Sequence, residues 1–410
     1  MLKKKLLVIA GWAPYPLCYG GNQAVYNAVD ALRNDLDIYY IYPGNKEEAT
    51  GEIYQKLTEM WGNVKLLPYI KPSNISNRYL FLKKVYKRVC AMLLKNNIDY
   101  KLDQELKEEI ESLDEGFIHH IQSTISKYRI DIVQTEFNQA LTLVNALPEN
   151  VKKIFVHHEI RYVRNELLLK KFGKQDSCLY RYKVNEMKTR EIAHLNKYDH
   201  ILTLSVDDKK KLEKEGVLVP ITSSFAIVQD KYIFEEPEKD TNIVSFVGPE
   251  EHIPNKMGVE WFINSCLPLL KKEIPNVEFR IIGNWSVDTK KRYSSDASIK
   301  FMGFVDNLQD ALKGTVMIVP IMIGSGIRMK ILEASSMGVP FVTTSVGVEG
   351  IPYTNGIECV IADNEKDYVD GIIFNMKATN SIPLTRNAYA KYKSIYSIES
   401  LRKSRIAVYE

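Results

Sequence analysis

The sequence predicts an α/β protein of two doubly wound parallel domains facing a central cleft. Three observations carry this: a length of 410 residues, an alternation of short apolar runs with longer helical patterns, and a polar, proline-bearing break past the middle. Single cores stop growing at roughly 250–300 residues, so a chain this long divides. Short apolar runs separated by amphipathic stretches are the pattern of parallel sheets covered by helices on both faces.

In the first half, strands are expected at 6–10, 38–42, 64–67, 132–135, 153–156 and 200–204, with helical patterns at 22–33, 139–146 and 206–215. Between about 72 and 128 that rhythm stops, and the spacing predicts two inserted amphipathic helices. Residues 234–242, polar and containing Pro237, read as a linker. Beyond it, strands are expected at 243–247, 277–282, 299–302, 315–320, 339–343 and near 358–361. Helices are expected at 258–271, 307–312 and 327–337, followed by a helical tail. The domains fall at 1–235 and 242–395, with residues 396–410 a helix expected to pack back on the first domain.

A net charge of +4 is small for this length and argues against a dedicated nucleic-acid binder. The five cysteines are scattered, odd in number and without CxxC spacing, which fits a reducing compartment and neither a disulfide framework nor a zinc site. Lys3 to Lys5, an apolar run and Cys18 mimic a lipidated signal, yet Pro14 and Pro16 break the run and a buried first strand is the better reading. No stretch approaches the roughly 20 apolar residues that cross a bilayer. The expected location is the cytoplasm. The segment 77–96, basic, aromatic and amphipathic, reads either as a face for anionic membrane or as a domain-packing helix. Asp35-Leu36-Asp37, at a helix end, reads as a loop feature, and no metal is expected.

The most informative segment follows Pro320. A strand ends there, Gly324, Ser325 and Gly326 form a turn, and a helix begins near Ile327. Such a turn brings backbone N–H groups close to a phosphate, and the helix start adds partial positive charge. Arg328 and Lys330 lie in that first turn, where each cation costs about 0.3–1 kcal/mol against the macrodipole unless an anion is bound. Glu333 stands among apolar neighbours and needs partners, which ribose hydroxyls would supply. The plainer alternative is two solvated cations and a glutamate paired with Lys330.

The run 324–344, preceded by Ile318-Val319-Pro320, closely resembles the donor-site helix of GT-B fold glycosyltransferases, specifically the retaining family 4. Val244 to Gly248 with Pro254 to Phe262, Phe279 to Gly283, Phe301 to Asp306, and Pro16 to Gly21 resemble further family segments in the same order. The resemblance implies two Rossmann-like domains, with a nucleoside-diphosphate sugar as donor substrate and neither metal nor cofactor. It implies that Arg328 and Lys330 bind the diphosphate and that Glu333 grips the ribose. Gly20, Gly21, Gly248, Gly324, Ser325 and Gly326 would line the donor site. Ser325 stands where the family's first paired glutamate would be, and Lys256 is the nearest substitute for a missing arginine after Gly248.

His157 and His158 end the strand at 153–156; His157 is the preferred match to the family's cleft histidine, and His158 the alternative. Glu136 points toward the same cleft or serves as a helix N-terminal carboxylate. Arg161 and Arg164 follow as acceptor-side candidates. The resulting expectation is transfer of a hexose-like sugar to a glycan or polyprenyl-linked acceptor, the alternatives being a GT-B sugar-nucleotide epimerase and a non-catalytic sugar-nucleotide or glycan binder. A dehydrogenase is weaker, because no Gly-x-Gly-x-x-Gly follows the first strand.

Overall fold

The computed structural model describes residues 3–17, 19–70, 85, 97–106, 113–228, 231–324 and 326–410. Their order along the chain is β1 (Lys5–Ile9), β2 (Asp37–Ile41), β3 (Pro43–Gly44), β4 (Lys65–Leu66), β5 (Tyr69–Ile70), β6 (Ile132–Glu136), β7 (Lys152–His157), β8 (His200–Thr203) and β9 (Ile221–Ser223) in the first half. The second half holds β10 (Ile243–Val247), β11 (Glu278–Ile282), β12 (Ile299–Gly303), β13 (Val316–Val319), β14 (Phe341–Thr343) and β15 (Val360–Ile361). One parallel sheet runs β4-β2-β1-β6-β7-β8-β9 and the other β12-β11-β10-β13-β14-β15. β3 pairs with β5 as a separate ribbon.

These strands form because their residues are apolar on both faces. Leu6 to Ile9 and Val316 to Val319 are each at most 1% exposed, the burial that only a helix-covered parallel sheet provides. The strand order reverses beside β1 and β6 in one sheet and beside β10 and β13 in the other. Ligands of doubly wound sheets bind at such reversals, beyond the carboxyl ends of the strands. The loops after those four strands meet across one cleft.

Several elements differ from expectation. The stretch expected as an α-helix at 139–146 is a 3₁₀ helix, Asn138–Ala146, entered through Phe137 at φ 65°. Its tighter turn stacks residues three apart: Leu141 and Val144 face one apolar cluster, and Leu143 and Ala146 another. The helix expected at 258–271 starts earlier, at Ile253, with Pro254 in its first turn where a missing N–H costs nothing. It widens into a π turn at Phe262–Cys266, just ahead of Pro268, which cannot donate to the helical ladder. The helices Arg161–Lys171 and Cys178–Leu195 were not anticipated, because charges on nearly every side hide their buried stripe. Within 72–128 the described helices are Ile98–Glu105 and Glu115–Tyr128; segment 77–96, apart from Val85, lies outside the described residues.

The chain passes from the first sheet to the second through residues 224–242 and returns after the helix Ala378–Ile395. The last helix, Ile398–Tyr409, lies on the first sheet's side. There Arg402 forks onto Asp35 at 2.6 and 2.5 Å, and Arg405 Nε donates to Ser224 Oγ at 2.7 Å. Asp35 is thus engaged by a guanidinium. A single apolar cluster joins the two halves, from Leu6 and Val8 through Val319 and Leu332 to Leu401 and Tyr409.

Candidate active site

Two adjoining cavities, of about 400 and about 360 Å³, fill the cleft and share Gly248 and Glu333 in their walls. Both are of the size that holds small ligands. The first is bounded by Asn284, Phe304 and Asp306 of the second domain and by Tyr15, Gln23 and Tyr232. The second lies between Arg328 and Lys330 on one side and Trp12, Phe137 and His158 on the other.

The turn after β13 passes through Gly324 at φ 126° and Gly326 at φ 81°, conformations that favour glycine. A Cβ on Gly326 would stand 2.4 Å from the His158 carbonyl oxygen, so this turn touches the first domain only because residue 326 lacks a side chain. Ser325 lies outside the described residues. Arg328 is the N-cap residue of the helix Met329–Met337, which starts two residues later than expected, and its Nη1 donates to the Gly326 carbonyl. Lys330 Nζ donates to Asn255 Oδ1 at 2.9 Å and sits 4.2 Å over the Phe246 ring. Gly248, at φ 148°, makes room for both: a Cβ there would meet Asn255 Nδ2 at 2.5 Å and Lys330 Nζ at 3.1 Å.

Burial lowers the basicity of Arg328, although Glu159, Glu349 and Asp208 oppose it. Burial, with the Arg328 charge added, brings the Lys330 ammonium down to about 7. Both cations are held out of water at a helix start, and a diphosphate there offers charge-assisted bonds to each.

Glu333, 5% exposed, accepts from Gln23 Nε2 at 2.9 Å and from the Tyr232 hydroxyl at 3.3 Å, and burial pushes its carboxyl up. It does not hydrogen-bond Lys330. Gly20 and Gly21 line the second cavity, where side chains would press on Met329 at 3.2 Å and on the Phe137 ring at 3.3 Å.

Four expected positions need correction. His157 does not face the cleft. It closes β7 on the same side as Phe155, is 1% exposed, and its Nε2 meets Glu191 Oε1 at 2.8 Å inside the first domain. The cleft histidine is His158, stacked on Phe137 with ring centroids 3.9 Å apart, while Phe137 stacks on Trp12 at 4.5 Å. Glu136 is buried behind this histidine rather than exposed to a ligand, and its Oε2 accepts from His158 Nε2 at 2.6 Å. Lys256 lines neither cavity; it pairs with Glu250 at 2.9 Å. Burial works against the Glu250 charge, but bonds from Thr289, Lys256 and Ser286 hold its carboxyl down at about 2. The same loop instead sends His252 to the second cavity, where burial and the nearby Lys330 push its imidazole down to about 4. Arg161 lines the second cavity beside Glu159, at 3.2 Å, whereas Arg164 does not.

Sequence reasoning missed Trp12, Gln23, Phe137, Tyr232 and His252. Trp12 and Phe137 had one usable signal, since each follows the carboxyl end of a strand at the order reversal. Among the described residues, no group of three or more His, Cys, Asp or Glu is placed to hold a metal, and no helix is long and apolar enough to cross a membrane.

Residues 241–377 match the family described as glycosyl transferases group 1. The chain is 22% identical to an uncharacterized 44.6 kDa protein in the cps region of Klebsiella pneumoniae, with 98% of each covered. In fold it is similar to sucrose-phosphate synthase from Thermosynechococcus elongatus, at TM-score 0.72 and 13% identity over 99% of this chain and 98% of that one. TarM gives TM-score 0.70 and 13% identity over 100% and 99%. Anabaena HepE, crystallised in complex with UDP and glucose, gives 0.65 and 11% over 98% of each. Sheet order, facing crevices and the solved structures agree that the chain has the GT-B fold, and its second domain carries the segment that matches glycosyl transferases group 1.

Proposed function

We propose that this protein transfers a hexose-like sugar from a nucleoside-diphosphate sugar to a glycan or lipid-linked acceptor, with retention at the anomeric carbon and without a metal ion. The observation that carries this is the placement of Arg328, Lys330 and Glu333 on one helix start in the wall of the interdomain cleft. Base and ribose would occupy the first cavity, with Glu333 exchanging Gln23 for ribose hydroxyls. The diphosphate would lie against Arg328, Lys330 and the glycine turn. As the glycosidic bond breaks, negative charge grows on the departing diphosphate, and cations fixed in a dry site stabilise it without reorganising. The sugar would then lie beside His158, Phe137 and Arg161, and closure of the cleft would keep water from competing with the acceptor.

The cps-region relative supports a place in surface-polysaccharide synthesis, and the HepE complex supports a uridine donor as the first to test. A cytoplasmic location, with peripheral contact to anionic membrane through the basic segment 77–96, belongs to the same proposal. Arg328→Ala should raise donor KM and lower kcat together, with kcat/KM falling on the order of 10²–10³-fold. Unchanged kinetics would overturn the assignment, and conversion of the donor with no acceptor present would assign an epimerase instead.

A further inference from the structure

We infer that Tyr409, on the last helix, and Gln134, on β6, are positioning residues for His158, acting through the carboxylate of Glu136. The inference rests on the cleft being the transfer site. The Tyr409 hydroxyl donates to Gln134 Oε1. Gln134 Nε2 donates to Glu136 Oε1 at 2.5 Å, and Glu136 Oε2 meets His158 Nε2 at 2.6 Å. Tyr409, Gln134 and Glu136 are each 1% exposed, so water does not compete along this line.

The donors fix the direction of the chain. A phenol beside the amide oxygen orients Gln134 so that its nitrogen, which can only donate, points at the carboxylate. Glu136 then serves as acceptor at both oxygens, and His158 must carry its proton on Nε2. Nδ1 is left as the ring nitrogen available to a ligand in the cavity. Phe137 fixes the other degree of freedom. Its ring lies 19° from parallel to the imidazole, and its backbone is held at φ 65°, a conformation non-glycine residues adopt only under constraint. His158 is therefore held at its edge by a carboxylate and on its face by an aromatic ring.

Packing alone does not call for these groups. An apolar side chain at position 134 would fill the slot between β6 and the last helix without the cost of burying an amide and a carboxylate. The arrangement also ties the orientation of a cleft histidine to the helix that returns from the second domain.

The test uses the full chain and two variants. Tyr409→Phe keeps the ring but frees the Gln134 amide to turn; kcat should fall at least about tenfold, with donor KM within about twofold and Tm close to wild type. In Glu136→Gln the oriented Gln134 nitrogen should claim the new amide oxygen and turn the new NH₂ toward His158. The His158 proton should then move from Nε2 to Nδ1, read in ¹⁵N spectra of histidine-labelled protein with His158→Gln identifying the signal. Wild-type kcat in Tyr409→Phe, or an unchanged His158 tautomer in Glu136→Gln, overturns the inference. Absence of transferase activity in the wild-type protein would instead overturn the reading of the cleft, and the ring spectra would still decide the hydrogen-bond chain.

Discussion

Lys330 is the residue whose chemistry is most sensitive to solution conditions. Its ammonium lies beside Arg328 and over an aromatic ring, and burial brings it to about 7 from an ordinary 10.5. The folded chain therefore disfavours the charged form: the free protein gains stability as pH rises from about 7 toward 10.5, because the unfolded chain binds the extra proton there. A diphosphate has the opposite preference and draws the proton back. Nucleoside diphosphate binding at pH 8 should take up close to one proton, measured by calorimetry in buffers of different ionisation enthalpy, and affinity should fall as pH rises further. Lys330→Met should abolish the uptake. Uptake that persists in that variant would place the titrating group elsewhere.

Among the elements, the last helix joins two kinds of contact of very different weight. Arg402 and Asp35 form a forked pair open to solvent, where screening and side-chain entropy take back most of the attraction. Leu401 is 1% exposed within the cluster that joins the two halves. Leu401→Ala should cost about 2–5 kcal/mol in urea unfolding, while Arg402→Ala should leave the midpoint near wild type. A larger effect of Arg402 would mean the pair is shielded from water. The same distinction explains what the sequence disclosed. Strands such as β1 and β13 were legible because burial on both faces demands unbroken apolar runs. The helix Cys178–Leu195 was not, and with it went Glu191, the buried partner that turns His157 inward. Arg328, Lys330 and Glu333 were legible because their positions conflict with a ligand-free helix start. Gln23 and Tyr232 were not, since only the folded chain brings them to Glu333.

For the whole molecule, the decisive distance is the one between the glycine turn and the facing domain. An alanine at position 326 would have to adopt φ 81° with its Cβ 2.4 Å from the His158 carbonyl. The turn must withdraw, and the reacting groups separate with it. Gly326→Ala should lower kcat/KM on the order of a hundredfold. Small-angle scattering should show its UDP complex more extended than that of wild type; a wild-type radius of gyration would locate the loss in the turn alone.

The return of the chain to the first domain has a mechanical consequence. Two covalent crossings, one through residues 224–242 and one just before Ile398, join the halves. A body tethered at a single point can swivel in any direction, whereas attachment at two points defines an axis. Any opening of the cleft would therefore swing about the line through these crossings, as a lid does on a pair of pins, and closing would bring Arg328 back to the same place opposite His158.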